Sequence, residues 1–212
     1  MTSPAAAERA ALLELMAAAG PRARTLLPAW TTHDLAAHLV VRERRPWAVP
    51  GLVVPPLRRA TAALERRARR RPYEDLLAQL RTGPPLWSAG GVLRGPLDGL
   101  TDLHEFFVHH EDVRRVDDPA PRRLDAGTER ALWDRVRVMG PGLTARARGL
   151  GVVVEAPGGR RATLRPVGQR VVVRGSPGEL LLWLFGRRQV ADVELVGSAE
   201  ACSRARTARL GW

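Results

Sequence analysis

The chain contains no lysine, no asparagine and no isoleucine. Codons for all three are rich in A and T, so their absence points to a GC-rich coding sequence in which arginine carries the fixed positive charge. The net charge of +12 at pH 7 is therefore partly a product of codon bias. It predicts weak, salt-sensitive attraction to polyanions. No helix-turn-helix signature, zinc-finger spacing or aromatic-rich RNA-binding sheet accompanies it, so sequence-specific nucleic-acid recognition is not expected. The single cysteine, Cys202, excludes an intramolecular disulfide. Aromatic residues make up only 5% of the chain, so its cores must be built from Leu, Val and Ala. No stretch approaches about 18 uncharged apolar residues, so no membrane span is expected. Glu8 and Glu14 interrupt the apolar run near the N-terminus, which does not read as a signal peptide. The expectation is a soluble cytoplasmic protein, with its oligomeric state open.

What is present supports a real core. Hydrophobic residues make up 45% of 212 positions, enough for one domain or two small ones. Residues 4–19 are strong helix formers, ended by Gly20-Pro21. A second helix is expected over 31–45, capped by Thr31 or Thr32, with Asp34 in its first turn and Pro46 as its stop. The proline-rich segment 46–57 reads as a loop that lies over a site. A helix over 58–70 ends in the run ERRARRR, which reads as a solvated face. A short helix follows from Pro72 to Arg81, then a Gly/Pro-rich loop over 82–97, then a helix over 98–116.

Beyond Pro121 the texture changes. After one more helix, over 125–148, come the β-rich runs GVVVEAP and RATLRP, joined as a hairpin by Pro157-Gly158-Gly159. QRVVVRG is a third strand. Ser176, Pro177 and Glu179 form a helix-start signal, with Glu179 completing a capping box. ELLLWLFG, the strand ADVELVG and a closing helix SAEACSRARTARL complete the chain. Arg187 and Arg188, just past a helix end, either reach an anionic ligand or neutralise that helix C-terminus, the plainer role. The pattern is α+β in two domains: a helical bundle over 1–122 and a small α+β domain over 123–212.

The chemistry concentrates in HEFFVHHEDVRR, residues 104–115. At 100° per residue, with Glu105 at zero, His109 lies at about +40° and Asp112 at about −20°, among Val108, Val113 and Phe106. His104, Glu111 and Arg115 lie together near −100° and read as the wet side, with Glu111 and Arg115 an ordinary i,i+4 surface pair. His110 and Arg114 sit at the far border. A buried Glu and His need partners. They can satisfy each other, or they can hold a divalent metal, since Glu-x-x-x-His presents a carboxylate and an imidazole from adjacent turns. In the helix over 31–45, His38 also faces inward between Leu35, Leu39 and Val41, with Asp34, Arg42 and Arg45 on its stripe. A lone core histidine is usually structural. Two helices each offering an inward His, with a Glu beside one, match the pattern of a three-ligand metal site with an open position, beside the plainer reading of a structural Glu–His pair. His33 reads as exposed.

Three segments, in this order, resemble the DinB-like, mycothiol-dependent maleylpyruvate isomerase superfamily: LLPAWTTHDLAAHLVVRERRP (26–46), EFFVHHEDVRR (105–115) and VVVRGSPGELLLWLFGR (171–187). The sequence is similar to an uncharacterised metal-binding branch of it. The resemblance implies an N-terminal DinB-like four-helix bundle and a C-terminal α+β domain. It implies that His38, Glu105 and His109 bind a divalent metal, zinc by expectation, and that mycothiol is a cosubstrate attacking a small electrophile as its thiolate. Asp112 and Asp34 would support the ligands from behind. Arg42 and Arg45 would bind carboxylates of substrate or cosubstrate, or else be solvated or paired with Asp34 or Glu43. The leading expectation is thus a metal-dependent, thiol-using transferase or isomerase. The runner-up is a non-catalytic metal- or ligand-binding protein of the same fold. Nucleic-acid association through the Arg-rich face at 58–71 ranks behind both.

Overall fold

A computed structural model of the chain describes residues 2–44, 58–83 and 103–211. The loop expected over 46–57, most of the one expected over 82–97 and the start of the helix expected over 98–116 lie outside the described residues, as does Arg45. The architecture is mixed α and β, in two compact units, Met1–Asp118 and Pro119–Trp212. No helix among the described residues is long and apolar enough to cross a membrane.

The first unit is helical: α1 (Pro4–Ala19), α2 (Thr32–Arg44), α3 (Arg58–Ala68), α4 (Tyr73–Thr82) and α5 (Leu103–Arg114). Ser3 caps α1 by accepting the Ala6 N–H, and Gly20 ends it. The start of α2 is a reciprocal cap. The Thr31 N–H and hydroxyl both donate to Asp34 Oδ2, at 2.9 and 2.8 Å. Aspartate here takes the place usually held by Glu or Gln in a capping box. The core joins Leu12, Met16, Leu35, Leu39, Leu76 and Phe106, among others, from α1, α2, α4 and α5. The Tyr73 hydroxyl ties α4 to α1 by donating to the Met16 carbonyl, 2.7 Å away. The Arg-rich run at the end of α3 is not uniformly solvated. Arg66, Arg67 and Arg70 are exposed, whereas Glu65 and Arg69 turn inward.

The second unit has α6 (Ala126–Leu143), β1 (Leu150–Ala156), β2 (Arg160–Arg165), β3 (Gln169–Arg174), α7 (Pro177–Leu184), β4 (Glu194–Gly197) and α8 (Ala199–Thr207). The strands form one sheet in the order β2-β1-β3-β4. β1 and β2 are an antiparallel hairpin, β1 and β3 run parallel, and β4 closes the edge antiparallel to β3. The parallel pair lies at the centre, and β1 is buried along almost its whole length, as expected for a strand with both faces covered. Gly140 lets α6 approach β2, since a Cβ there would stand 2.6 Å from Leu164. Ser176 takes the N-cap position of α7, with Pro177 first in the helix, but its hydroxyl makes no cap bond. The Glu179 carboxylate instead accepts the Asp192 N–H at 2.8 Å, tying α7 to the segment before β4.

Candidate metal centre

α5 is apolar enough to run through the interior, and the structure buries it on every side. His104, Glu111 and Arg115, expected on the wet side, are 6%, 0% and 3% exposed. The cause is self-sufficiency. Glu111 pairs with both Arg114 and Arg115, so this side carries its own compensating charges inward. His110 is likewise no bystander at a border. It is buried, with its Nδ1 2.7 Å from Glu8 Oε1 on α1. His33 is half-buried, its Nε2 3.0 Å from the Arg71 carbonyl.

The remaining side of α5 faces α2. One ligand atom from each of His38, Glu105 and His109 lies within 4.8 Å of the other two. The two imidazoles meet edge to face, centroids 5.4 Å apart. Each is held from behind by a carboxylate: His109 Nδ1 lies 2.9 Å from Asp112 Oδ2, and His38 Nδ1 lies 2.9 Å from Glu65 Oε1. A carboxylate can only accept here, so both rings carry a proton on Nδ1, which leaves Nε2 as the atom each could offer to a metal. Glu105 divides its two oxygens. Oε2 lies 3.3 Å from His109 Nε2, while Oε1 lies 3.0 Å from Arg42 Nη2 and 3.6 Å from His104 Nε2.

Burial alone would raise the Glu105 pKa. The Arg42 charge, the His109 hydrogen bond and charge, and His104 outweigh it and hold the carboxyl well below the ordinary range. Burial alone would lower the pKa of His109, but its bonds to Asp112 and Glu105 outweigh that and raise it.

Asp34 does not reach the histidines directly. Its Oδ1 pairs with Arg69 Nε at 3.0 Å, and Arg69 Nη2 lies 4.0 Å from Glu65 Oε2. The Arg69 guanidinium also covers Trp30, 5.6 Å from the ring centroid, and Trp30 leans on His38 at 5.3 Å. Arg42 engages Glu105, and the pairings considered for it fall elsewhere: Asp34 takes Arg69, and Glu43 takes Arg9 at 2.7 Å.

Sequence reasoning missed Glu65, hidden in the arginine run. A signal existed: Thr61, Leu64, Glu65 and Ala68 share one stripe of α3, and Thr61 and Ala68 are buried. Glu8 carried no comparable signal, because its partner lies 102 positions away.

The donor set fits a divalent cation on two counts. Two imidazoles and a carboxylate are a common zinc set. Donors at a tetrahedral ion with bonds of about 2.1 Å stand about 3.4 Å apart, close to the Glu105–His109 spacing of 3.3 Å.

No family model matches the chain, and no curated protein matches it. A solved structure does: the crystal structure of the mycothiol-dependent maleylpyruvate isomerase, at a TM-score of 0.56 and 19% sequence identity. The match spans 92% of this chain and 95% of that one. The two share a fold. The resemblance read from the three sequence segments therefore holds at the level of architecture, across both units.

Proposed function

We propose that the chain is a zinc-dependent, thiol-using transferase or isomerase that acts on a small electrophile with mycothiol as cosubstrate. The first unit is read as a DinB-like four-helix bundle of α1, α2, α4 and α5. The observation that carries the proposal is the convergence of His38, Glu105 and His109 within 4.8 Å, with both histidines oriented from behind by carboxylates. In this reading His38 Nε2, His109 Nε2 and Glu105 Oε2 hold the ion. When bound, the ion supplies Lewis acidity and lowers the pKa of a thiol. Glu65 and Asp112 keep each imidazole in the tautomer that donates from Nε2. Arg42 pairs with Glu105 Oε1, which would leave Oε2 to the ion, and Arg45 would meet an anionic group of substrate or cosubstrate. The thiol comes from outside the chain, because Cys202 is buried in the second unit with its Sγ 3.6 Å from the Leu195 carbonyl.

The test has two stages. Metal content is measured in the purified protein and in the His38→Ala and His109→Ala variants; stoichiometric metal held at full affinity by both variants overturns the ligand set. The zinc form is then incubated with mycothiol and a panel of electrophiles that includes maleylpyruvate. Saturable, metal-dependent turnover supports the enzyme. Tight metal binding without turnover favours a non-catalytic metal-binding protein, a reading supported by the way Arg42 and His109 already satisfy Glu105.

A further inference from the structure

The second unit contains a cavity of about 570 Å³ whose walls include Trp183, Arg188, Gln189, Val193, Leu195 and Arg206. Its size falls within the span of about 300–1,000 Å³ usual for small-molecule sites. One wall is apolar: Val193 and Leu195 on the approach to and within β4, with Trp183 from α7. Two arginines, Arg188 and Arg206, also line it. Arg188 follows α7 and donates from Nη1 to the Ala205 carbonyl at 3.0 Å. Arg206, in the last turn of α8, lines the same cavity.

Arginines are plentiful in this chain, so their number alone means little; their partners decide. Four arginines that lie partly buried in the first unit are matched by acids: Arg9 by Glu43, Arg42 by Glu105, Arg69 by Asp34 and Arg114 by Glu111. Arg44 instead donates to the carbonyls of Gln79 and Gly83, and Arg188 is of this second kind. It is half-buried, its charge is met by a carbonyl, and no carboxylate among the described residues forms an ion pair with it or with Arg206. Burial pushes the Arg188 guanidinium pKa down with no acid opposing it. A purely structural role, the two guanidiniums neutralising the C-terminus of α8, would account for the carbonyl bond. It would not account for a cavity that both guanidiniums line together with Trp183, Val193 and Leu195.

We propose that this cavity binds a small organic carboxylate, its anionic end taken by Arg188 and Arg206 and its apolar body lying against Val193 and Leu195. Two guanidiniums suit a carboxylate because each presents a planar pair of donors.

The test is a titration of the full-length protein with benzoate, followed by amide and indole NMR. Benzyl alcohol serves as the neutral analogue and inorganic phosphate as the anion without an apolar body, all at constant ionic strength. Saturable benzoate shifts are expected at the Trp183 indole and at the amides of 186–195 and 205–206. Arg188→Gln and Arg206→Gln should each weaken binding roughly tenfold, the loss of one charge-assisted hydrogen bond. Arg206 is exposed, so Arg206→Gln reports on the site even if the change at Arg188 loosens α8. The proposal is overturned if no saturable shift appears at these residues. It is equally overturned if benzyl alcohol or phosphate binds as tightly as benzoate, or if Arg206→Gln binds like the parent.

Discussion

Glu65 is the one acid in a run of arginines, and its carboxylate sets the tautomer of His38. Removing such a support typically weakens metal affinity about 10–100-fold. Glu65→Ala should therefore lower zinc affinity within that range in a chelator competition, and Glu65→Gln by less, since an amide oxygen still accepts the Nδ1–H. Equal affinity in all three proteins would reduce Glu65 to a partner of Arg69. Glu111 makes a different prediction. It is fully buried and pairs with Arg115, itself 3% exposed. Truncation leaves a buried guanidinium short of its charge partner, a loss of about 3–5 kcal/mol. Urea unfolding of Glu111→Ala should show a loss of that order, whereas a surface pair would cost under about 1 kcal/mol. The angular positions along α5 put Glu105, His109 and Asp112 on a common side, and the structure gathers the first two with His38. The same angles could not show that the other side is also covered, because one helix's periodicity does not count its neighbours. The Glu111–Arg115 pair was legible from its spacing, but its burial was not, and Glu8, the partner of His110, becomes visible only once α1 lies alongside.

At the scale of elements, α2 depends on its first turn, because that turn fixes where His38 is presented. Thr31 and Asp34 satisfy each other across the cap. Burial alone would raise the Asp34 pKa, but the Thr31 N–H and hydroxyl and the charges of Arg69 and His33 outweigh it and lower it. The sign of the linkage follows. A carboxylate depressed in the folded state stabilises it above the unfolded-state pKa, and that stability is lost as pH falls through the folded value. Asp34→Ala should cost about 1 kcal/mol at pH 7, and the gap from the parent should narrow as urea melts are repeated at acidic pH. A gap unchanged down to the acid limit would mean that the carboxylate charge contributes nothing. This cap was legible in the sequence, as were the β1–β2 hairpin at Pro157-Gly158-Gly159 and the Ser-Pro start of α7. The parallel pairing of β1 with β3 was not. It joins strands across an intervening hairpin arm, and runs such as GVVVEA and QRVVVR carry β propensity without saying which neighbour they take.

At the scale of the whole molecule, one metal should hold together segments far apart in the chain. His38 lies on α2, while Glu105 and His109 lie on α5, so an ion bridging them crosslinks the native state and has no equivalent in the unfolded chain. Binding to the folded form alone stabilises by about 2.7 kcal/mol when free metal is at a hundredfold excess over Kd. For a chain of this length each kcal/mol corresponds to about 2–4 °C, so zinc should raise the thermal midpoint of the parent by roughly 5–10 °C, and a chelator should reverse the rise. His109→Ala should lose most of that response while keeping a cooperative melt. Asp112→Asn should lose less, because an amide oxygen can still accept from His109 Nδ1. Hydrogen exchange adds the location: zinc should slow exchange in peptides from α2 and α5 together. Slowing confined to α5 would mean that His38 is no ligand, and the site would reduce to the Glu105–His109 pair.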